Sequence, residues 1–186
     1  MTETDEHTRA GDQGAAVERA EDNFLRRANR YHEAFPETSA DIIAGHIAVV
    51  NTGSAMGRAV THHLEQYGIN PARYSLLRAI YFAPERMLPQ SELAREMGTS
   101  QPNVTQLLHA LEREGLVERV IFPENRRVTV ARLRPEGVSL CDVLVPDMVQ
   151  FMERSMQGLS TAELAELRRL LAKVRGRAEE LVSEQD

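Results

Sequence analysis

The chain of 186 residues carries 22 Lys and Arg against 28 Asp and Glu, a formal net charge of −6 at pH 7. No apolar run nears the ~20 residues that a membrane span needs, and MTETDEHTRAGDQG has acids where a signal peptide requires bases, so a cytoplasmic protein is expected. The single cysteine, Cys141, excludes an internal disulfide and a cysteine-cluster metal site.

Residues 1–15 are polar and glycine-bearing, a composition that predicts a disordered N-terminal tail. Residues 16–36 turn periodic. Val17, Ala20, Phe24, Ala28, Tyr31 and Phe35 step by three or four and Pro36 closes the run, which predicts an amphipathic helix. Ser39 has the chemistry of an N-cap for a long helix over 40–66, with Ile43, Ile47, Val50, Ser54, Gly57, Thr61 and Leu64 on one side. Gly53, Ser54, Ala55 and Gly57 gather at its middle, where each glycine costs ~1 kcal/mol relative to alanine. Close approach of another helix or a ligand is the expected reason. His46, His62 and His63 share this helix, but neither of the adjacent pair lies one turn from His46, which argues against metal ligation. Asn70 and Pro71 open a shorter helix over 72–82 that carries Tyr74, Leu77, Ile80 and Tyr81.

The most informative stretch is 88–137. Residues 90–97 (QSELAREM) place Leu93, Ala94 and Met97 on one helical face, and Gly98 follows as a left-handed cap. Ser100 is the N-cap of the next helix, with Pro102 in its first turn, where a missing N–H costs nothing. Val104, Leu107, Leu108 and Leu111 follow the i, i+3, i+4, i+7 pattern and face a core. The outer side holds Gln101, Asn103, Gln106, His109 and Arg113, mostly amides where a solvated helix usually shows Glu and Lys. Asn and Gln bond bidentately to adenine in the major groove. Gly115 ends this helix.

Residues 116–122 and 128–133 are rich in β-branched side chains, and Pro123-Glu124-Asn125-Arg126-Arg127 separates them with turn chemistry. From 120 to 134 the bases Arg126, Arg127, Arg132 and Arg134 face the single acid Glu124, a local balance of +3 on an acidic chain. Two short helices followed by such a hairpin form a winged helix-turn-helix, in which one helix enters a DNA major groove and the arginine-tipped wing lies beside it.

Beyond the wing, Pro135 opens a helix with Val138, Cys141, Val145, Met148 and Met152 on one stripe, and Pro146 is expected to bend it. Ser160 and Glu163 make a capping box for the last helix, whose stripe is Leu164, Leu167, Leu171, Val174, Ala178 and Leu181. A domain as small as the winged helix cannot bury both stripes, so a two-fold homodimer is expected. Cys141 sits on an apolar stripe and reads as a small hydrophobe rather than a redox centre. No phosphate loop follows a strand and no nucleophile has a base within a recognisable framework, so neither an enzyme nor a bound cofactor or metal is expected.

The features LAREMG, NVTQLLHALEREGLVER and PENRRVTVARLRPEG resemble the DNA-binding half of the MarR family of bacterial transcription regulators. Asn125 stands where the family's wing has Asp, Arg134 and Pro135 where Leu-Thr or Thr-Pro is usual, and Gln106 where Arg is frequent. The expected fold class is mainly α with a small β-hairpin wing. It comprises a winged helix-turn-helix over 70–134, a helical dimerisation region from 39–66 and 135–183, and an extra helix over 16–36. The resemblance implies a ligand-responsive dimeric repressor of a pseudo-palindromic double-stranded DNA operator; a winged-helix module that binds protein is the alternative. Gln101, Asn103 and Gln106 are expected at base edges, Ser100 and Thr105 at phosphates, His109 at the groove edge, and Arg126 and Arg127 in the minor groove. The resemblance also implies a small aromatic or anionic effector, for which His62, Tyr74 and Arg78 are the candidate ligands.

Overall fold

The computed structural model describes residues 3–121 and 129–184, with the backbone alone for 3–14 and 121. The chain divides into two compact parts, 1–71 and 72–186. The first is a helical pair, α1 (Glu3–Ala34) packed on α2 (Ala40–Glu65). Ser39 caps α2 by accepting a hydrogen bond from the Ile42 amide, as its side chain predicts. His32 near the end of α1 bonds the Thr38 carbonyl at 2.7 Å and closes the turn between the two helices. Phe24 and Ala28 are the part of the predicted α1 stripe that packs inward, while Val17, Tyr31 and Phe35 are exposed.

One expectation for this part fails. The helix already includes Glu3, where a disordered tail was expected over 1–15. Arg9, Ala10, Ala15 and Ala16 are strong helix formers, and Asp5 and Glu6 suit the positive end of the helix dipole; these local preferences outweigh Gly11 and Gly14. A Cβ built at Gly53 or Gly57 meets no atom within 4 Å.

The second part contains α3 (Pro71–Phe82), β1 (Met87–Pro89), α4 (Gln90–Met97), α5 (Gln101–Arg113), β2 (Val117–Ile121), β3 (Thr129–Leu133), α6 (Pro135–Ser155) and α7 (Thr161–Ser183). The strands form one antiparallel sheet in the order β1-β3-β2, so the wing has a third strand beyond the expected hairpin. Three residues ending in proline are too short to show a period of two, and β1 takes its place by pairing Met87 with Arg132 and Pro89 with Val130. Leu76, Leu77 and Ile80 of α3, Leu93 of α4, Val104, Leu108 and Leu111 of α5, and Val117 and Ala131 of the sheet are fully buried. Cys141, Leu144 and Met148 bring α6 into that core, and among the described residues no polar or charged side chain is buried.

The helix ends follow local chemistry. Gly98 closes α4 at φ 59°, and Gly115 makes the turn after α5 at φ 75°, both in the left-handed region that disfavours a Cβ. Ser160 and Glu163 form the predicted capping box, with the Ser160 amide donating to Glu163 at 2.8 Å and the Glu163 amide donating back at 3.3 Å. Pro146 lies inside α6, which continues past it. No residue of α7 is buried.

Gly137, in the first turn of α6, is held by close approach rather than by φ. A Cβ there would sit 2.1 Å from the Leu116 carbonyl oxygen, and backbone on that side cannot swing away as a side chain could. Gly137→Ala is therefore expected to lower stability by about 1–3 kcal/mol, the usual cost of overpacking. A urea midpoint equal to that of the wild type would show that the wing can shift freely from α6.

Candidate nucleic-acid interface

The outward face of α5 is built by fixing the helix from all sides except one. Ser100 caps its start by accepting from the Asn103 amide. From α4, the Gln90 side chain donates to the Gln101 carbonyl at 3.3 Å and to the Thr105 hydroxyl. The Thr105 hydroxyl in turn donates to the Gln101 carbonyl at 2.9 Å. Arg73 of α3 pairs with Glu114 just beyond the helix, and Arg78 of α3 pairs with Glu96 of α4 at 3.2 Å. On the sheet side, the Arg119 guanidinium of β2 donates to Glu112 at 2.9 Å.

The sequence-derived site residues divide into two groups on this frame. Ser100 at the cap and Gln101, Asn103, Gln106 and His109 of α5 are all exposed. The Asn103 amide donates to the Thr99 hydroxyl at 3.1 Å, an anchor that holds its side chain at the helix start. Thr105 is half-buried with its hydroxyl engaged inside the motif. Arg126 and Arg127 lie outside the described residues.

The basic balance of the wing needs a correction. Glu118, just upstream of the stretch counted from the sequence, stands directly across from Arg132 in the β2–β3 register and pairs with it. Arg134 approaches the same carboxylate at 3.8 Å. Opposite charges facing each other across an antiparallel pair stabilise the ladder, so these two arginines are occupied with the sheet. Sequence reasoning also missed Arg119 and Glu112. Their contact spans the Gly115 turn, and no helical or strand period links the two positions. At Glu112, burial pushes the carboxyl up, but the hydrogen bonds and charge of Arg119 outweigh it and hold the group below its ordinary value of 4.5.

Of the residues suggested for an effector, His62 belongs to the first part of the chain and Tyr74 and Arg78 to the second. His62 is exposed on α2 beside Glu65, at 3.2 Å. Tyr74 is buried in α3, and burial raises its phenol. Cys141 is fully buried, and desolvation pushes its thiol up to about 11, which suits a packing role. Among the described residues, no group of three or more His, Cys, Asp and Glu side chains is placed to hold a metal, and no helix is long and apolar enough to cross a membrane.

Residues 67–128 match the model of the MarR family. The chain is 32% identical over 108 residues to the HTH-type transcriptional regulator YdgJ of Bacillus subtilis, a match covering 58% of this chain and 65% of that protein. It is 25% identical over 131 residues to the HTH-type transcriptional repressor YetL of the same organism, covering 68% and 78%. In fold it resembles the MarR family regulator Sco3205 of Streptomyces coelicolor, solved in complex with DNA, with a TM-score of 0.70 over 74% of this chain and 88% of that one at 20% identity.

The Glu112–Arg119 pair makes a prediction about pH. A depressed carboxyl contributes stability above its unfolded-state value and loses it as pH falls through the folded value. The stability lead of the wild type over Glu112→Gln should thus be present at pH 7 and close as the pH falls below the ordinary carboxylate value of 4.5. Urea titrations at several pH values would check this; a constant gap would mean that the carboxylate charge has no part in the pairing.

Proposed function

With residues 67–128 a winged helix-turn-helix of the MarR family, we propose that this chain is a dimeric, ligand-responsive transcription regulator that represses from a pseudo-palindromic operator. The observation that carries the reading is the outward face of α5. Its amides and imidazole are exposed, while cap, ion pairs and core fix the helix beneath them. A face made for protein would display more aromatic and apolar side chains. Repression is the action in YetL's name, and Sco3205 shares the fold in a DNA complex.

In this reading α5 enters the major groove by its N-terminal half. Gln101, Asn103 and Gln106 meet base edges, Ser100 and Thr105 lie toward phosphates, His109 stands at the groove edge, and Arg126 and Arg127 reach the minor groove from the wing. Amides at the reading positions favour adenine–thymine pairs in each half-site. Two copies then lie one DNA turn apart, ~34–36 Å, which sets the spacing of an inverted repeat.

The second copy is called for by the apolar surface of the last two helices. Val149, Met152, Leu167, Leu170, Leu171, Val174 and Leu181 are all exposed in the single chain, more than a solvated helix pair of a monomer presents. We assign the dimer base to 39–66 and 135–183 with α1 adding to it, and the DNA-reading domain to 70–134. An aromatic or anionic effector would act by preferring the conformation whose reading helices are mis-spaced for DNA. His62 on the first part of the chain, and Tyr74 and Arg78 on the second, remain its proposed contacts.

Two experiments test this. Asn103→Ala or Gln106→Ala should relax sequence preference at a cost of ~1–3 kcal/mol at the cognate base, whereas Arg127→Ala should weaken binding to most sequences and reduce the salt slope by about one. Gel shifts on duplexes selected from a genomic pool, at rising salt, separate these outcomes; identical behaviour of the two classes would remove α5 from the groove. The double variant Leu167→Asp, Leu171→Asp should lose both the dimer and operator binding. A folded variant that still sediments as a dimer would place the interface elsewhere.

A further inference from the structure

The His109 imidazole stands on the exposed face of α5, and its Nε2 lies 3.2 Å from Nη1 of Arg119 on the neighbouring strand. A guanidinium only donates, so the contact requires an unprotonated Nε2 and leaves the proton on Nδ1. Arg119 cannot readily swing away, because its Nε and backbone amide both donate to Glu112, at 2.9 and 3.4 Å. Glu112 and His109 lie on the same helix, so one arginine of β2 grips α5 at two points. We propose that Arg119 is a positioning residue for DNA reading, which fixes His109 as a neutral imidazole presenting an N–H donor at the outer end of the reading face. The inference rests on α5 facing DNA and adds a specificity element that the reading face alone does not give.

The consequence is chemical. A donor held at that place seeks an acceptor, either guanine N7 and O6, thymine O4 or a phosphate oxygen. Histidine ordinarily changes charge between pH 5 and 8. A second proton would occupy Nε2, abolish the acceptor and set imidazolium against guanidinium. The freed cation keeps its attraction for DNA phosphates but loses its fixed direction, so acid should erode discrimination rather than overall binding. The charged groups that face this ring include Glu112 on its own helix and Arg119 on β2, with Arg113 one helical turn further along α5. From α4, also packed against α5, the Gln90 side chain bonds Gln101 and Thr105 instead.

The test uses the full chain and a duplex that the wild type selects from a random-sequence pool, beside the same duplex with single half-site changes and an unrelated duplex. The ratio of cognate to altered-site affinity is measured from pH 5 to pH 8. For the wild type that ratio should fall about tenfold toward acid, the worth of one well-placed polar contact, while binding to the unrelated duplex holds or strengthens. Arg119→Ala should show the low ratio already at pH 8 and no further fall, Arg119→Lys should recover part of it, and His109→Gln should abolish the pH dependence. Wild-type discrimination and pH profile in Arg119→Ala, or a pH dependence that persists in His109→Gln, would overturn the proposal. Thermal melts show whether Arg119→Ala is folded; if it is not, the Arg119→Lys and His109→Gln profiles still decide. A wild type that selects no sequence from the pool would instead remove the DNA-reading premise.

Discussion

The backbone of Leu116 joins three elements of the winged helix at one residue. Its amide donates to the Leu111 carbonyl at 3.0 Å and finishes α5, and its carbonyl accepts from the Arg134 amide at 3.0 Å at the foot of β3. That same carbonyl is the surface against which Gly137 of α6 rests. Shifting it moves the end of α5, the base of the wing and the start of α6 together. Backbone groups this constrained are stiff because each has lost its freedom to a partner. The seam is what allows side chains on α5 and on the sheet to hold a fixed relation.

Around the seam the division of labour between core and surface is sharp. The core is apolar among the described residues, so it supplies compactness without directional preference. Direction comes from the partly exposed pairs at the edges: Arg73–Glu114, Arg78–Glu96, Arg119–Glu112 and Arg132–Glu118. Exposed pairs of this kind are each worth only about 0–1 kcal/mol. Their value is geometric, since each ties two elements whose apolar contacts alone would permit sliding.

How much of this could be read beforehand depended on whether the controlling interaction was local. Ser39, Ser100 and Ser160 announce helix starts because an N-cap reaches only three residues along the chain. Gly98 and Gly115 announce ends because φ is a property of one residue. Helix α1 starts earlier than the polar composition of 1–15 suggests, because the helix preference of its alanines and arginines prevails. The strand β1 escaped because its only evident reason for being extended is β3, more than forty residues further on. The wing's charge was misjudged for a related reason: Glu118 meets Arg132 by register across the hairpin, and a running count along the chain does not see register. Of the candidate site, the exposed face of α5 was legible from periodicity, while the arginine that grips it was not.

These observations bear on how an acidic chain can approach DNA. With a net charge of −6, long-range attraction cannot come from the whole molecule and must come from local fields within a Debye length of about 8–10 Å. Arg132 and Arg134 are already balanced in part by Glu118, and Arg119 by Glu112. Charge spent on internal pairing adds little to non-specific binding to phosphates, the term that is blind to sequence. In the proposed function, a surface of amides carried on a helix fixed by those same pairs shifts the balance toward contacts that depend on base identity. Under that proposal the internal ion pairs serve discrimination twice, by holding α5 still and by withholding charge from indiscriminate attraction.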